Sequence, residues 1–243
     1  MLIQVAAAKT PKYASSESGD TLEMVERPHG GLSFVLVDGQ RSGKSAKAIS
    51  NLVAHKAIAL LAEGIRDGAA ARAAHDYLYT QRQGKVSATL NILSVDLVAK
   101  TVVISRNSAC PVLVQVDAET QHVLDAPSQP VGIYRRTKPV ITELPMQSGL
   151  VTVVFTDGLQ SAGERTGARL NIAEALAALA RTHADSREAA RTIADALLAE
   201  ALAREDGRPA DDISVLALAI TSHEDDDTRR LAVELPIPPL LQP

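Results

Sequence analysis

Aromatic residues are scarce in this chain. Phe, Trp and Tyr make up 2% of its 243 residues, and tryptophan is absent. Proteins that bind single-stranded nucleic acid stack the bases on aromatic side chains, and the net charge of −4 is unfavourable for binding a polyanion. These absences predict that nucleic acid is not a partner.

Cysteine and long apolar runs are also scarce. Cys110 is the single cysteine, so an intrachain disulfide is impossible, which favours a reducing, cytoplasmic location. Cys110 lies in an apolar run, and we expect it to be buried and unreactive. No run approaches the ~18 apolar residues of a membrane helix, and the short N-terminal run lacks the basic n-region of a signal peptide. We therefore expect no membrane partner.

The residues that are abundant predict one aliphatic core. Hydrophobic residues make up 46% of the chain, enough for one substantial domain, which we place at residues 1–222. An acidic and then proline-rich tail follows at residues 223–243. We expect its apolar residues to pack on the domain or on a partner.

Hydrophobic periodicity predicts an α+β protein in which helices cover the outer faces of antiparallel sheets. Asp67–Gly68 is expected to form the break between the first two helices. Asp185 and Glu188 have the spacing of a capping box at the start of a later helix. The predicted elements are strands at 2–8, 21–27 and 31–38, helices at 42–66 and 69–82, an antiparallel meander of four strands within 86–126, a loop at 126–138, strands at 139–145 and 149–157, helices at 169–182 and 186–205, and a strand at 211–220.

Three predicted strands end or begin at aspartate. Asp38 and Asp157 each follow an apolar run and precede a glycine, and the pair Asp211 and Asp212 opens the last strand. A single Asp–Gly pair is most often a turn, but carboxylates gathered at strand ends form the oxygen sites that hard divalent cations prefer. We expect a metal centre for phosphoryl transfer. We assign Asp211 as the ligand and Asp212 as a supporting residue, because neighbours on an extended strand point to opposite sides.

Seven motifs occur in an order that resembles the metal-dependent protein phosphatases, the protein phosphatase 2C-like superfamily, and most closely its bacterial stage II sporulation E branch. The resemblance covers about residues 15–220. The motifs are SGD (18–20), VLVDGQRSG (35–43), ATLNILSVD (88–96), SRNSACPVLV (105–114), QPVGI (129–133), VVFTDGLQSA (153–162) and DDISVLAL (211–218).

The resemblance implies an αββα sandwich, in which two central antiparallel sheets are flanked by helix pairs, with two Mn²⁺ or Mg²⁺ ions at one end. It implies that Asp38 bridges both ions, that the Gly39 carbonyl, Asp157 and Asp211 are further ligands, and that Asp20 acts on the site, often through water. Asp38 and Asp157 are then the catalytic pair. The implied substrate is a phosphorylated regulatory protein of the sigma-factor or stress-signalling type. Because the catalytic domain takes up nearly the whole chain, we expect control by a separate regulatory protein.

The sequence departs from the family pattern at two places. DGQRSG replaces the common DGxG, and NSACP replaces NAGHP. Arg41 lies within the first of these motifs and Lys44 follows it directly. The two residues are interpreted either as a clamp for substrate phosphate or as a solvated helix start.

Two other functions stay open at this point. The departures are compatible with a catalytically silent phosphatase-like fold that only binds a partner. Residues 39–45 lie between a strand and a helix, as a nucleotide-binding P-loop does, but they are one residue short of G-x-x-x-x-G-K-[ST].

Overall fold

Two five-stranded antiparallel sheets form the centre of the protein. The computed structural model describes residues 1–222 and 228–236. Sheet I has the strand order β1-β10-β9-β6-β7, and sheet II has the order β2-β3-β4-β5-β8. The strands are β1 Leu2–Thr10, β2 Asp20–Glu26, β3 Leu32–Gly39, β4 Ala88–Asp96, β5 Thr101–Asn107, β6 Val112–Gln115, β7 Gln121–Leu124, β8 Val140–Pro145, β9 Val151–Phe155 and β10 Ile213–Thr221.

The helices cover the two outer faces, which confirms the predicted αββα sandwich. Leu36, Ile104 and Leu218 belong to the core between the sheets. A second core lies between sheet I and the pair α4 and α5, and a third lies between sheet II and the pair α1 and α2. The helices are α1 Gly43–Ala62, α2 Asp67–Arg82, α3 Asp157–Gln160, α4 Ile172–His183 and α5 Ala189–Arg204. None of the helices in the described ranges has the length and apolar composition that a bilayer crossing requires.

The predicted meander of four strands is wrong, because the chain changes sheets in its middle. β4 and β5 pair in sheet II, whereas β6 and β7 pair in sheet I. The buried guanidinium of Arg106 holds the crossover by donating hydrogen bonds to the carbonyls of Ser108 and Ala126. An alternating apolar pattern identifies a strand but does not say which sheet the strand joins.

Two predicted helix starts also differ from the structure. Asp67 and Gly68 form the first turn of α2 rather than a break, and the amides of Ala69 and Ala70 donate to the Arg66 carbonyl. The capping box at Asp185 is not formed. Glu188 is the residue at the N-cap of α5, and the Asp185 carboxylate accepts hydrogen bonds from the backbone and hydroxyl of Ser222.

The described part of the tail, residues 228–236, is exposed and belongs to no helix or strand. Leu231, Val233 and Leu235 are 75%, 82% and 84% exposed. Arg229 donates to the Gly30 carbonyl, and Glu234 accepts from Arg191. Residues 223–227 and 237–243 lie outside the described ranges, so packing of the tail on the domain or on a partner stays a prediction.

A buried polar chain links the start of α2 to sheet II. The Asp67 carboxylate accepts hydrogen bonds from the Ser94 hydroxyl and from the Arg27 guanidinium, the latter at 2.8 Å. Ser94 also contacts the hydroxyl of Ser33 on the neighbouring strand. Removing one member of a buried charged pair leaves the other uncompensated, which is strongly destabilising.

We expect Asp67→Ala to lower the free energy of unfolding by about 3 kcal/mol. The measurement is urea unfolding followed by circular dichroism. Asp76→Ala is the matched control, because the Asp76 side chain on the same helix is 77% exposed, and its effect should stay below about 0.5 kcal/mol. Equal losses in the two variants would contradict the structural role of Asp67.

Candidate metal centre

A cleft of about 390 Å³ opens at one end of the two sheets. Asp38, Asp157 and Asp211 lie on its walls, although they are far apart in the sequence. Antiparallel pairing in sheet I brings the end of β9 to the start of β10. Asp20, which is opposite Asp38 in sheet II, accepts hydrogen bonds from Thr156 and Ser214 and so holds the end of β3 next to them. The lining residues are Lys12, Asp38, Gly39, Gln40, Arg41, Ser42, Ser87, Ala88, Thr89, Pro130, Asp157 and Asp211.

Asp38 and Gly39 form the end of β3, a central strand of sheet II. The Asp38 amide donates to the Thr89 hydroxyl on β4 at 3.3 Å. A Cβ atom on Gly39 would stand 2.2 Å from the Ala46 carbonyl oxygen of α1. Glycine is therefore required at position 39 by the close approach of α1.

Asp157 lies at the junction between β9 and the short helix α3. The preceding residue, Thr156, makes two hydrogen bonds with Ser214 on β10. The Thr156 amide donates to the Ser214 carbonyl at 3.1 Å, and the Thr156 hydroxyl accepts from the Ser214 amide at 3.0 Å. A Cβ on Gly158 would stand 2.1 Å from the Asp212 carbonyl oxygen. These contacts fix the Asp157 loop against the start of β10.

Asp211 and Asp212 have different surroundings. Asp211 lines the cleft, and its Oδ1 accepts from the Asp212 amide at 2.9 Å. Asp212 is buried, and its two carboxylate oxygens accept from the amides of Lys12 and Gly19 at 2.9 and 2.8 Å. The structure thus buries Asp212 among backbone donors and leaves Asp211 on the cleft, and the roles of ligand and supporting residue stay predictions.

Asp20 stands behind the cleft rather than on its lining. It is the cross-strand partner of Asp38, and its Oδ2 accepts from the hydroxyls of Thr156 and Ser214 at 3.0 and 2.6 Å. Its Oδ1 is buried without a hydrogen-bond partner. Burial raises the pKa of Asp20 to about 6, against the lowering effect of the two hydroxyls.

The carboxylates are close enough to perturb one another. Burial, followed by the charges of Asp20, Asp157 and Asp211, raises the pKa of Asp38 to about 9. Partial burial and the Asp211 charge also raise the pKa of Asp157. A bound cation would compete with these protons, because it stabilises the ionised form of each carboxylate.

The donor set fits Mg²⁺ or Mn²⁺, which prefer oxygen ligands. The unpartnered Oδ1 of Asp20 supports this fit. Within residues 1–222 and 228–236, no three His, Cys, Asp or Glu side chains are grouped closely enough to enclose an ion by themselves. Carboxylates that do not enclose an ion by themselves are compatible with Mg²⁺. This ion keeps several of its water ligands and binds through one or two carboxylates together with substrate phosphate oxygens.

The DGQRSG loop places one of the two predicted phosphate contacts on the cleft. Arg41 lines it, with a left-handed φ of 77°, whereas Lys44 is exposed on the first turn of α1 and is not part of the lining. Gln40 holds the loop, because its amide and side-chain oxygen exchange hydrogen bonds with the backbone of Ser87, both at 3.1 Å.

Sequence reasoning missed two residues of this end of the sandwich. Lys12 lines the cleft, but it lies in a polar loop with no pattern to mark it. Arg106 is almost fully buried at the end of β5, and the alternation of the strand had given no sign of a buried charge. Cys110 is buried as expected, and burial, with the Asp157 charge as a smaller cause, raises the pKa of its thiol to about 12.

The chain is similar to known proteins in sequence and in fold. A family model for stage II sporulation protein E matches residues 28–221. The PP2C phosphatase domain of SpoIIE from Bacillus subtilis, solved with a fragment of its regulatory domain, aligns with a TM-score of 0.78 at 19% identity, covering 92% of this chain and 64% of that one. The RsbU and RsbW domains of a Mycobacterium tuberculosis protein align with a TM-score of 0.75 at 18% identity, covering 92% and 61%.

RsbX in complex with magnesium aligns with a TM-score of 0.69 at 15% identity, covering 90% of this chain and 96% of that one. These structural similarities show the PP2C-type fold. The chain spans less than two thirds of the length of the first two structures. No match was found among curated protein sequences.

Asp211→Ala should mainly weaken Mn²⁺ binding, whereas Asp212→Ala should mainly lower the free energy of unfolding. We expect Asp211→Ala to weaken Mn²⁺ binding about tenfold or more and to lower the free energy of unfolding by no more than about 1 kcal/mol. Asp212→Ala leaves two amides without an acceptor and should cost about 2–4 kcal/mol. Calorimetric Mn²⁺ titration and urea unfolding measure the two quantities.

The control for both variants is Asp195→Ala, which alters a carboxylate that is 61% exposed on α5. If Asp212→Ala keeps full stability but loses Mn²⁺ binding, then Asp212 is the metal ligand and Asp211 is the supporting residue.

Proposed function

Because the chain belongs to the stage II sporulation protein E family, we propose that it is a metal-dependent phosphatase of serine and threonine phosphoproteins. The observation that carries the proposal is the shared cleft onto which β3, β9 and β10 bring Asp38, Asp157 and Asp211. The proposed metal ligands are these three carboxylates and the Gly39 carbonyl, with Asp20 acting from behind. Asp38 and Asp157 are the proposed catalytic residues.

The chemistry divides between the ions and the protein. Two bound Mg²⁺ or Mn²⁺ ions would lower the pKa of water at the site and offset the charge of the phosphate. The residues of the chain hold the carboxylates in place: the hydroxyls of Thr156 and Ser214 orient Asp20, and the amides of Lys12 and Gly19 fix Asp212 beside Asp211. This fixed arrangement removes the cost of ordering the ligands during the reaction.

Positive charge on the cleft supports a phosphorylated substrate. Lys12 and Arg41 are the cationic side chains of the lining, and both ammonium and guanidinium groups bind phosphate oxygens. In place of the pair Arg41 and Lys44 expected from the sequence, we propose Lys12 and Arg41 as the contacts of the phosphoryl group. The substrate would be a regulatory phosphoprotein, as in sigma-factor signalling, acting in the cytoplasm under the control of a separate regulatory protein.

The nucleotide-binding alternative has less support. A P-loop connects a strand to a helix within a parallel βαβ unit, whereas β3 has antiparallel neighbours on both sides. The catalytically silent alternative is decided by experiment.

Purified protein should hydrolyse p-nitrophenyl phosphate when Mn²⁺ is added. We expect Asp38→Asn and Asp157→Asn to lower kcat by about 10²-fold or more, because each substitution removes a charge that holds the ions. Asp195→Asn is the control and should keep full activity. Mn²⁺ binding without turnover on any phosphorylated substrate would support the silent fold, and tight binding of MgATP by calorimetry would support the nucleotide-binding function.

Three substitutions test whether Lys12 and Arg41, but not Lys44, contact the substrate phosphate. We expect Lys12→Gln and Arg41→Gln each to raise the KM for a phosphoserine peptide about tenfold, the value of one charge-assisted hydrogen bond. Lys44→Gln is the matched control and should leave KM unchanged, because Lys44 does not line the cleft. Steady-state kinetics at saturating Mn²⁺ gives the values, and a larger effect at Lys44 would contradict the assignment.

A further inference from the structure

A surface of strong positive charge lies beside the cleft. Its members are exposed cations from two neighbouring segments, the end of α2 with the turn after it, and the loop at residues 133–138. We call this set the basic surface: Arg82, Lys85, Arg135, Arg136 and Lys138. The whole chain carries a net charge of −4, so this concentration of cations is local.

The loop is fixed at the cleft end of sheet II. Val131 pairs with Ala88 on β4, and the next residue, Gly132, donates its amide to Nδ1 of His75 on α2 at 3.0 Å. After the loop, Val140 on β8 pairs with Arg106 at the end of β5. Pro130, just before the bridge, lines the cleft. The loop therefore leaves and rejoins the body of the protein next to the site.

The two segments of the basic surface pack against each other. A Cβ on Gly132 would stand 2.3 Å from the Leu78 side chain of α2 and 2.7 Å from the Val86 carbonyl oxygen. Arg82 and Lys85 lie between these two residues in the chain, and the Lys85 amide donates to the Arg82 carbonyl. This packing brings the segment that carries Arg82 and Lys85 next to the residue from which the loop starts.

The charges of the basic surface are available for a partner. In the part of the chain that the structure describes, none of its five side chains forms an ion pair or a hydrogen bond. Ile133 and Tyr134, at the start of the loop, are 41% and 46% exposed. Arginine and tyrosine side chains are enriched in protein–protein interfaces, so this combination favours a protein partner over a purely electrostatic contact with nucleic acid or lipid.

We propose that the basic surface docks an acidic segment of the protein substrate, located in the same polypeptide as the phosphorylated side chain. This proposal rests on the proposed phosphatase function. Docking beside the cleft raises the local concentration of the phosphoester at the catalytic residues, and complementary charge accelerates the encounter. The expected signature is a lower KM at unchanged kcat.

The test uses two phosphoserine peptides that differ only in the flank, a run of glutamates in one and of glutamines in the other. The variant Arg135→Glu/Arg136→Glu reverses two charges of the basic surface. Lys100→Glu/Arg181→Glu is the control with the same change in net charge, because Lys100 lies in the turn after β4 at the far end of sheet II and Arg181 lies on α4. Hydrolysis is measured at about 0.05 M and about 0.5 M salt, and binding of the labelled peptides is followed by fluorescence anisotropy.

We expect wild type to prefer the glutamate peptide by about tenfold in kcat/KM at low salt, and Arg135→Glu/Arg136→Glu to lose this preference while the control pair keeps it. High salt should reduce the preference in wild type. Hydrolysis of p-nitrophenyl phosphate should be the same in all three proteins, since none of these residues lines the cleft.

Equal use of the two peptides by wild type, or an equal loss in both charge-reversal variants, would overturn the docking proposal. So would binding of an oligonucleotide or of anionic phosphatidylserine vesicles that depends on Arg135 and Arg136 while the glutamate peptide does not bind. Failure of the phosphatase function appears separately, as absent hydrolysis of p-nitrophenyl phosphate, and peptide binding then still decides whether the surface docks an acidic segment.

Discussion

One buried carboxylate joins the two sheets at the cleft. Asp20 begins β2 in sheet II, and its side chain accepts hydroxyl hydrogen bonds from Thr156 and Ser214 in sheet I. Asp38 is opposite Asp20 in the β2–β3 ladder, and Asp157 follows Thr156. The distance between Asp38 and Asp157, the proposed catalytic residues, therefore depends in part on this contact. A buried carboxylate is costly unless it is paired by hydrogen bonds, so the contact is also a strong constraint on the packing of the two sheets.

Two further lysines support this crowded acidic region from outside the cleft lining. Lys9 and Lys47 both donate to the backbone carbonyl of Asp20, at 2.9 and 2.7 Å. Burial, with the nearby charge of Lys47, lowers the pKa of Lys9. The lysines thus stabilise the segment that carries Asp20. Among residues 1–222 and 228–236, no cation forms an ion pair with Asp38, Asp157 or Asp211, so their carboxylate oxygens are available as metal ligands.

The sequence predicted those parts of the molecule that are determined by a pattern within a few consecutive residues. Apolar alternation located the strands, and an aspartate at the end of such a run located Asp38 and Asp157, because both the strand and its end lie within a few residues. Asp212 and Gly19 are 193 residues apart in sequence, and no local pattern indicates that one fixes the other. The same holds for the contact of Gln40 with Ser87 and for the burial of Arg106, which arise only when the two sheets and their loops are packed together.

Cys110 gives the molecule a built-in chemical marker of folding. It is the only thiol in the chain, and burial, followed by the charge of Asp157, raises the pKa of this thiol. Thiolate is the form that reacts with alkylating and oxidising reagents. The native protein is consequently protected from such reagents, whereas every molecule that opens its core exposes one reactive sulfur, so the rate of alkylation follows the opening of this part of the sandwich.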